Sequence, residues 1–287
     1  MLLPIYVSYE VLEATAQRMR QNQADQVSRF EPRFTRPTAM QLSAFPLSEL
    51  IVAETKTPTK DLAWPTPSVF NLNFRSSNGA THIAEALRGR GLYLISYGQE
   101  IIYLGKYRPD EGKIVADRWG RHLQTITGRG HQIGLGGSRD AEARLEKFLR
   151  AVAAEGLRQA LRNALEYSRL ERFRDTGCNT TPNRLRFASQ QWVHFGAAEP
   201  ETILRGFEFR LLKIHSPHDE AHARQVVGAM EVDVLRQWHP VCNEEYIHQT
   251  DADRRAANTP EALVESIRAS AQMRTGHDIE SLVHFQA

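Results

Sequence analysis

The chain has 287 residues, of which 41% are hydrophobic and 24% are charged, so it can bury a full core as one large domain or two small ones. Its formal charge of +2 is too small to indicate a nucleic-acid partner by itself. The two cysteines, Cys178 and Cys242, stand far apart, which disfavours a disulfide framework or a zinc ribbon and fits a reducing compartment. Because no run of about 18 apolar residues predicts a membrane span, we expect a soluble cytoplasmic protein with no membrane partner.

The first 84 residues are predicted to form an irregular N-terminal arm. A helix is expected over residues 10–23, and repeated prolines between residues 32 and 67 exclude further long helices. Lys56 and Lys60 lie among threonines in this arm. They belong either to a solvated loop or to a strap that contacts DNA.

A hairpin is predicted next, because short apolar β-forming runs at 92–96 and 101–104 flank a turn at 97–100. A helix is predicted over 114–125, and it ends in the glycine-rich run 128–137.

The rest of the chain is predicted to be mainly helical, with two more strands. The expected elements, in order, are two helices or one helix kinked at Gly156 over 138–173, a strand-like stretch over 185–195, an alternating strand over 207–214, a helix over 219–238 stopped by Pro240, and a helix over 262–273 with Thr259 as N-cap and Pro260 at its first position.

The helix after the hairpin carries the first candidate for chemistry. Arg118 and His122 are four residues apart and therefore share one face of that helix. A guanidinium can bind phosphate oxygens and an imidazole can transfer a proton, although the same pair would also suit an exposed basic helix face. The hairpin places Tyr93, Tyr103 and Lys106 near this helix.

The order of these residues resembles a known family. Gly91-Leu92-Tyr93, nine further residues, Tyr103-Leu104-Gly105 and then Asp117-Arg118-Trp119-Gly120-Arg121-His122 are similar to the signature of the GIY-YIG nuclease superfamily. Leu92 and Leu104 stand where the family name has isoleucine. His131, nine residues after His122, matches a further histidine of members close to the phage homing endonucleases.

A second part of the resemblance lies beyond a long insertion. Glu231 and, twelve residues later, Asn243 are similar to the metal-binding glutamate and closing asparagine of the family, especially of its restriction-enzyme branch. The carboxylates Asp233, Glu220 and Glu244 remain alternatives to Glu231.

The resemblance implies an α+β fold, in which a small, mainly antiparallel three-stranded sheet is flanked by helices. The catalytic core would comprise residues 85–136 and 205–246. Residues 137–204 would be a mostly helical insertion and residues 247–287 a C-terminal helical extension.

The activity implied is hydrolysis of DNA phosphodiester bonds with one Mg²⁺ or Mn²⁺ held by Glu231. Tyr93 would be the general base, and this requires its phenol pKa to be lowered by Lys106, Arg118 and the metal. The remaining roles follow the family: Arg118 stabilises the phosphate, His122 hydrogen-bonds Tyr93 or relays its proton, Tyr103 positions a phosphate or water, Asn243 ties the glutamate-bearing segment to the core, and Lys106 and His131 support them.

Several arginines suggest how DNA could be held. The candidates are Arg121, Arg169, Arg172, Arg174, Arg184 and Arg186. All of them except Arg121 lie in or after the inserted helices, where they form either a solvated helix face or a DNA-contacting module.

Within the family, we expect a type II restriction-type enzyme that cuts both strands of double-stranded DNA as a homodimer or larger symmetric oligomer. One alternative is a structure-specific nuclease of DNA repair, phage or mobile elements. Another is a DNA-binding protein that does not cleave.

Overall fold

The computed structural model of the protein describes residues 42–46, 50–55, 70–77, 87–98, 100–107, 114–130, 141–167, 180–214, 220–243, 260–276 and 279–286. All of these residues belong to one compact unit, Met40–Ala287. The predicted helix at 10–23 and the residues Lys56, Lys60, His131, Arg169, Arg172, Arg174, Glu244 and Thr259 lie outside the described residues.

Strands and helices are numbered in chain order within the described residues. The strands are β1 (Leu42–Pro46), β2 (Ile51–Thr55), β3 (Leu72–Ser76), β4 (Gly91–Tyr97), β5 (Glu100–Tyr107), β6 (Phe207–Ile214) and β7 (Ile279–Gln286). The helices are α1 (Val115–Ile126), α2 (Ala141–Ala151), α3 (Glu155–Tyr167), α4 (Pro182–Gln190), α5 (Trp192–Phe195), α6 (Pro200–Leu204), α7 (Glu220–Trp238) and α8 (Pro260–Thr275).

The main sheet has five strands in the order β1-β7-β6-β4-β5. Strand β4 pairs antiparallel with both β5 and β6, β6 pairs antiparallel with β7, and β1 pairs parallel with β7. A separate antiparallel ribbon consists of β2 and β3. The α+β class is confirmed.

Side chains alternate along β4 between two apolar cores, because successive residues of a strand face opposite sides of a sheet. Tyr93 and Ile95 face a core shared with α1 and α4. Leu92 and Leu94 face a second core shared with α7 and α8. Helices therefore cover both faces of the sheet, and β4 is buried on both.

Helix α1 has one buried stripe, which fixes its orientation on the sheet. Val115, Trp119, Leu123 and Ile126 recur at helical spacing and are all fully buried. The helix ends just before Gly128, whose φ of 65° suits glycine better than a residue with a side chain.

The hairpin, the helix after it, the strand at 207–214 and the helices before and after Pro240 are confirmed. Of the two alternatives for residues 138–173, two separate helices are present, α2 and α3.

The strand expected over 185–195 is wrong, since this stretch forms α4 and α5. The side chain of Thr181 accepts a hydrogen bond from the backbone N–H of Arg184, and Pro182 stands at the helix start. This N-terminal cap stabilises a helix that begins directly after the turn-rich sequence.

The expected three-stranded sheet is also corrected to five strands. Strand β7 lies within 247–287, which was expected to be a helical extension, and strand β1 lies within the N-terminal arm. The backbone groups of β6 are paired on both sides as a result, with β4 and with β7. The hydrogen-bonding requirement of β6 is thus met by a segment far away in the sequence.

Residues 1–84 are not irregular throughout, because β2 and β3 form a ribbon that packs on α1. A Cβ atom at Gly120 would lie only 2.6 Å from the carbonyl oxygen of Phe74, so the ribbon approaches the helix too closely for a side chain there. The Gln124 amide donates to Asn73 Oδ1 at 3.2 Å. The division of the chain into arm, core, insertion and extension remains a prediction.

Within the described part of the chain, no helix has the length and apolar character needed to cross a membrane.

Candidate active site

Three rings from the hairpin and α1 form the centre of the site. The hydroxyl of Tyr93 lies 2.6 Å from Nε2 of His122, a hydrogen bond between two buried side chains. The ring of Tyr103 lies beside both, with its centroid 4.5 Å from that of His122 and 6.0 Å from that of Tyr93. The structure therefore brings together three residues that the sequence assigned to one catalytic group.

Two glycines of the hairpin, Gly91 and Gly105, are required by close contacts. Gly105 lies directly opposite Tyr93 in the register of β4 and β5, and a Cβ atom there would lie 2.6 Å from the Tyr93 hydroxyl. A Cβ atom at Gly91 would lie 1.9 Å from the carbonyl oxygen of Leu212 in β6. Gly105 thus leaves room for the Tyr93 ring, and Gly91 allows β4 and β6 to pair.

Helix α1 contributes a buried histidine and an exposed arginine, four residues apart, to this site. His122 is buried next to Trp119, whereas Arg118 and Arg121 are exposed. The Arg118 guanidinium also lies close to Tyr93, where its charge acts to lower the pKa of the phenol. The helix therefore places a buried imidazole and an exposed guanidinium near the same phenol.

The protein side chains around Tyr93 do not by themselves lower its pKa. Burial raises the pKa of Tyr93 well above 10.0, and the neighbouring Tyr103 adds to this effect. Arg118 opposes the shift without cancelling it. Tyr93 is consequently a neutral phenol at physiological pH.

The pKa of His122 moves in the complementary direction. Burial lowers it well below 6.5, and the positive charges of Arg184 and Arg118 lower it further. A neutral imidazole has one nitrogen that can accept a hydrogen bond. The pair is therefore a neutral phenol hydrogen-bonded to a neutral imidazole, and Nε2 accepts from the phenol when the imidazole carries its proton on Nδ1.

Glu231 lies at the edge of β5 and is held there by a single residue. Its Oε1 accepts a hydrogen bond from the backbone N–H of Lys106 at 3.0 Å, and its Oε2 forms an ion pair with the Lys106 ammonium. Only 9% of Glu231 is exposed. Its carboxylate is therefore fixed in position, with one oxygen already facing a cation.

The alternative carboxylates differ from Glu231 in their surroundings. Asp233 forms an ion pair with Arg274 of α8 and also accepts from Ser270. It thus links two helices away from the hairpin. The side chain of Glu220 and all of Glu244 lie outside what the structure describes.

Asn243 pairs with β5 through both atoms of its side-chain amide. Its Oδ1 accepts from the Leu104 backbone N–H at 2.9 Å and its Nδ2 donates to the Leu104 carbonyl at 2.7 Å. The preceding residue, Cys242, donates its N–H to the carbonyl of Ile102 at 2.8 Å. Together with Glu231, these groups occupy the outer edge of β5.

Helix α4 contributes two site residues that sequence reasoning did not place there. Asn183 Nδ2 donates to the carbonyl of Asn243 at 2.7 Å. Arg184 Nη1 donates to Thr125 Oγ1 at 2.7 Å, and its guanidinium carbon lies 5.0 Å from the centre of the Tyr103 ring. The helix-start signal of Thr181 followed by Pro182 could have predicted this helix, although not its contacts.

Of the described arginines predicted to bind DNA, Arg121 and Arg186 are exposed, and Arg186 also donates to Asn183 Oδ1 at 3.1 Å. Arg184 does not share their surface, because it is only 6% exposed and its contacts lie inside the site. Its placement on an exposed DNA-contacting face is therefore corrected.

This arrangement offers one carboxylate, that of Glu231, as a metal ligand. No group of three His, Cys, Asp or Glu side chains suited to a metal occurs among the described residues. A hard divalent cation such as Mg²⁺ keeps several waters and needs only one or two protein carboxylates when a phosphate completes its coordination. Glu231, whose Oε2 already faces a positive charge, fits this requirement.

Neither protein-family models, nor curated proteins, nor solved structures give a match to this chain.

Proposed function

We propose that this chain is a metal-dependent endonuclease of the GIY-YIG type that hydrolyses DNA phosphodiester bonds. The observation that carries the proposal is the buried hydrogen bond between Tyr93 and His122, with the exposed Arg118 close to the same phenol. This pair can take a proton from a water molecule that attacks a phosphate. The Arg118 guanidinium can hold that phosphate nearby.

The proton moves through Tyr93 in this mechanism. A water molecule that attacks phosphorus gives its proton to the Tyr93 oxygen while Tyr93 passes its own proton to His122 Nε2. This relay needs no stable phenolate, which agrees with the raised pKa of Tyr93. Because the pKa of His122 is lowered, its imidazole is unprotonated at neutral pH but is a weak base, so the proton that it accepts in the relay is held only briefly and then passed on.

Arg118 stabilises the negative charge that grows on the phosphate oxygens in the transition state. Its exposure on α1 leaves it open to a DNA strand. Arg121, also exposed and three residues further along the same helix, would contact a neighbouring phosphate. Tyr103 would position the phosphate or the attacking water.

Glu231 would hold a Mg²⁺ or Mn²⁺ ion, and Lys106 would release the carboxylate when the ion binds. The bound metal would supply charge to the scissile phosphate as a Lewis acid. Asn243 keeps Glu231 in place indirectly, because both side chains are attached to the same strand edge.

The finer proposal is a type II restriction-type enzyme. A site of this kind cuts one strand at a time, so cleavage of double-stranded DNA at a specific sequence would require a symmetric dimer or larger oligomer. Incubation with supercoiled plasmid and Mg²⁺ tests this directly. Discrete linear fragments are expected, whereas a nicked circle as the end product would contradict the double-strand assignment.

Glu231→Gln tests the nuclease assignment itself. The variant keeps the shape of the side chain but removes its charge, and we expect cleavage to fall about a thousandfold, which corresponds to several kcal/mol of transition-state stabilisation. DNA binding, measured by gel shift in Ca²⁺, should change little.

Asp233→Asn is the matched control, since it neutralises a carboxylate on the same helix that is committed to Arg274. It should cleave at the normal rate. Undiminished Mg²⁺-dependent cutting by Glu231→Gln would rule out the proposed metal ligand.

A further inference from the structure

Helix α4 reaches the catalytic rings although it lies far from the hairpin in the sequence. Its capped N-terminus places two consecutive buried residues, Asn183 and Arg184, against the site. Asn183 contacts the backbone of Asn243, and Arg184 contacts side chains of α1 and β5. The predicted insertion, 137–204, therefore contacts both the part of the site that carries Asn243 and the part formed by α1 and β5.

Arg184 is connected to His122 by a chain of hydrogen bonds. Its Nη1 donates to Thr125 Oγ1 at 2.7 Å, and Thr125 Oγ1 donates to the His122 carbonyl at 2.9 Å. Both side chains are buried, so these bonds do not compete with bulk water. The guanidinium thereby helps to fix the part of α1 that carries the imidazole.

Arg184 also contacts the ring that packs on His122. Its guanidinium carbon lies 5.0 Å from the centroid of Tyr103, within the range of a cation–π interaction. The Tyr103 ring in turn lies 4.5 Å from the His122 ring. Arg184 thus restrains His122 from two sides, through the backbone of α1 and through an aromatic neighbour.

The charged and titratable groups that face His122 come from four elements. Tyr93 comes from β4, Tyr103 from β5, Arg118 from α1 and Arg184 from α4. Tyr93 is neutral at physiological pH, and the two arginines are cations. A buried cation nearby disfavours a second positive charge on the imidazole.

We propose that Arg184 is a positioning residue for the reaction, which holds His122 and Tyr103 in the geometry that lets His122 accept the proton of Tyr93. The role rests on the proposed nuclease function. It goes beyond that function because it makes α4 part of the catalytic centre. It also separates Arg184 from the phosphate-contacting arginines, whose contribution would be to affinity.

Two variants and one control test the proposal. Arg184→Met removes the charge and both contacts while keeping an unbranched side chain, and Arg184→Lys keeps the charge but loses the planar group. Arg205→Met is the control, because Arg205 is an exposed arginine that precedes β6. Circular dichroism and urea denaturation establish that each variant is folded before it is compared.

The first measurement is independent of cleavage. The His122 resonances are assigned by their loss in His122→Asn, and their titration is followed by NMR. Arg184→Met should move the His122 titration upward by roughly one pH unit, because a cation that disfavoured the imidazolium is gone. Arg184→Lys should restore much of the lower midpoint, and Arg205→Met should have no effect.

The second measurement separates positioning from DNA binding. Arg184→Met should lower kcat by about tenfold to a hundredfold with little change in KM, as expected when a catalytic group is misplaced. The salt dependence of DNA binding should keep its slope, whereas loss of a phosphate contact would reduce that slope by about one.

An unchanged His122 titration in folded Arg184→Met would overturn the proposal, as would a variant affected only in KM and salt slope. If no DNA substrate is cleaved by the wild-type protein, the proposed function fails, while the NMR titration still decides whether Arg184 controls His122.

Discussion

Asn243 pairs with Leu104 in the way that a residue of an additional strand would, accepting from its N–H and donating to its carbonyl. β5 is an edge strand, and an edge strand offers unpaired backbone groups at every second residue. Asn243 uses the groups of Leu104, and Glu231 uses the N–H of Lys106 two residues further along. The free edge of the hairpin therefore fixes the positions of two residues that are distant in the sequence.

Asn243→Asp should destabilise the protein by about 3 kcal/mol. A carboxylate oxygen would replace the donor nitrogen opposite the Leu104 carbonyl, so a hydrogen bond would become a repulsive contact in a buried place. Urea denaturation at neutral pH measures the effect. Gln190→Glu, which changes an exposed amide to an acid on α4, should alter stability by less than about 0.5 kcal/mol. Equal effects of the two substitutions would contradict the strand-like role of Asn243.

Lys106→Met should increase the affinity of the DNA-free protein for Mn²⁺. The Lys106 ammonium occupies one face of the Glu231 carboxylate, so a metal ion must displace it. A partly exposed ion pair contributes at most about 1 kcal/mol, which corresponds to a gain of about fivefold in affinity. Isothermal titration calorimetry measures this, with Lys147→Met as an exposed lysine control on α2. Weaker Mn²⁺ binding by Lys106→Met would show that the lysine does not compete for this carboxylate.

The stability of the protein should be lost in acid partly through His122. Its folded pKa lies well below 6.5, so only the unfolded chain takes up this proton as the pH falls below about 6.5. The free energy of unfolding should then decrease by up to about 1.4 kcal/mol per pH unit from this group. His122→Asn should remove that part of the slope. A slope that is identical in wild type and His122→Asn would mean that the buried imidazole is not the group concerned.

Tyr93 should produce the opposite dependence in alkali. Its folded pKa lies well above 10.0, so above about pH 10 the unfolded chain loses a proton that the folded protein keeps. Stability should therefore decrease as the pH rises through this range, and Tyr93→Phe should reduce the decrease. Urea denaturation midpoints measured from about pH 5 to pH 11 test both groups in one series. A steeper alkaline loss in Tyr93→Phe would contradict the assignment.

Gly105→Ala should impair cleavage more than it impairs folding. The new methyl group would lie 2.6 Å from the Tyr93 hydroxyl and would force the ring away from His122. Gly98→Ala is a matched control, because nothing lies within 4 Å of the added Cβ atom and the cost is the backbone strain of a positive φ. That strain is about 1 kcal/mol. If both variants retain the same cleavage rate at equal folded fraction, Gly105 is needed only for the fold.

The local patterns of the sequence predicted much of the fold, because they act over a few residues. Alternating apolar residues identified β6, and the two apolar runs around Gly98 identified the hairpin. Spacing along one helix put Arg118 and His122 next to each other. The prediction failed at 185–195, where the N-terminal cap at Thr181 and Pro182 outweighed the aromatic, strand-like composition.

Contacts between residues that are distant in the sequence cannot be predicted from spacing, and the tertiary structure determined them. The sequence alone determined the hairpin, the helix that follows it and the types of residue available for proton transfer and phosphate binding. Only the folded chain determined that Glu231 and Asn243 attach to the free edge of β5, because such pairing joins residues separated by more than a hundred positions. Burial, which depends on all surrounding elements, raised the pKa of Tyr93 where the residue pattern predicted a lowered one. The packing of the surrounding elements also places Arg184 inside the site, although in the sequence Arg184 resembles any other arginine of a basic helix.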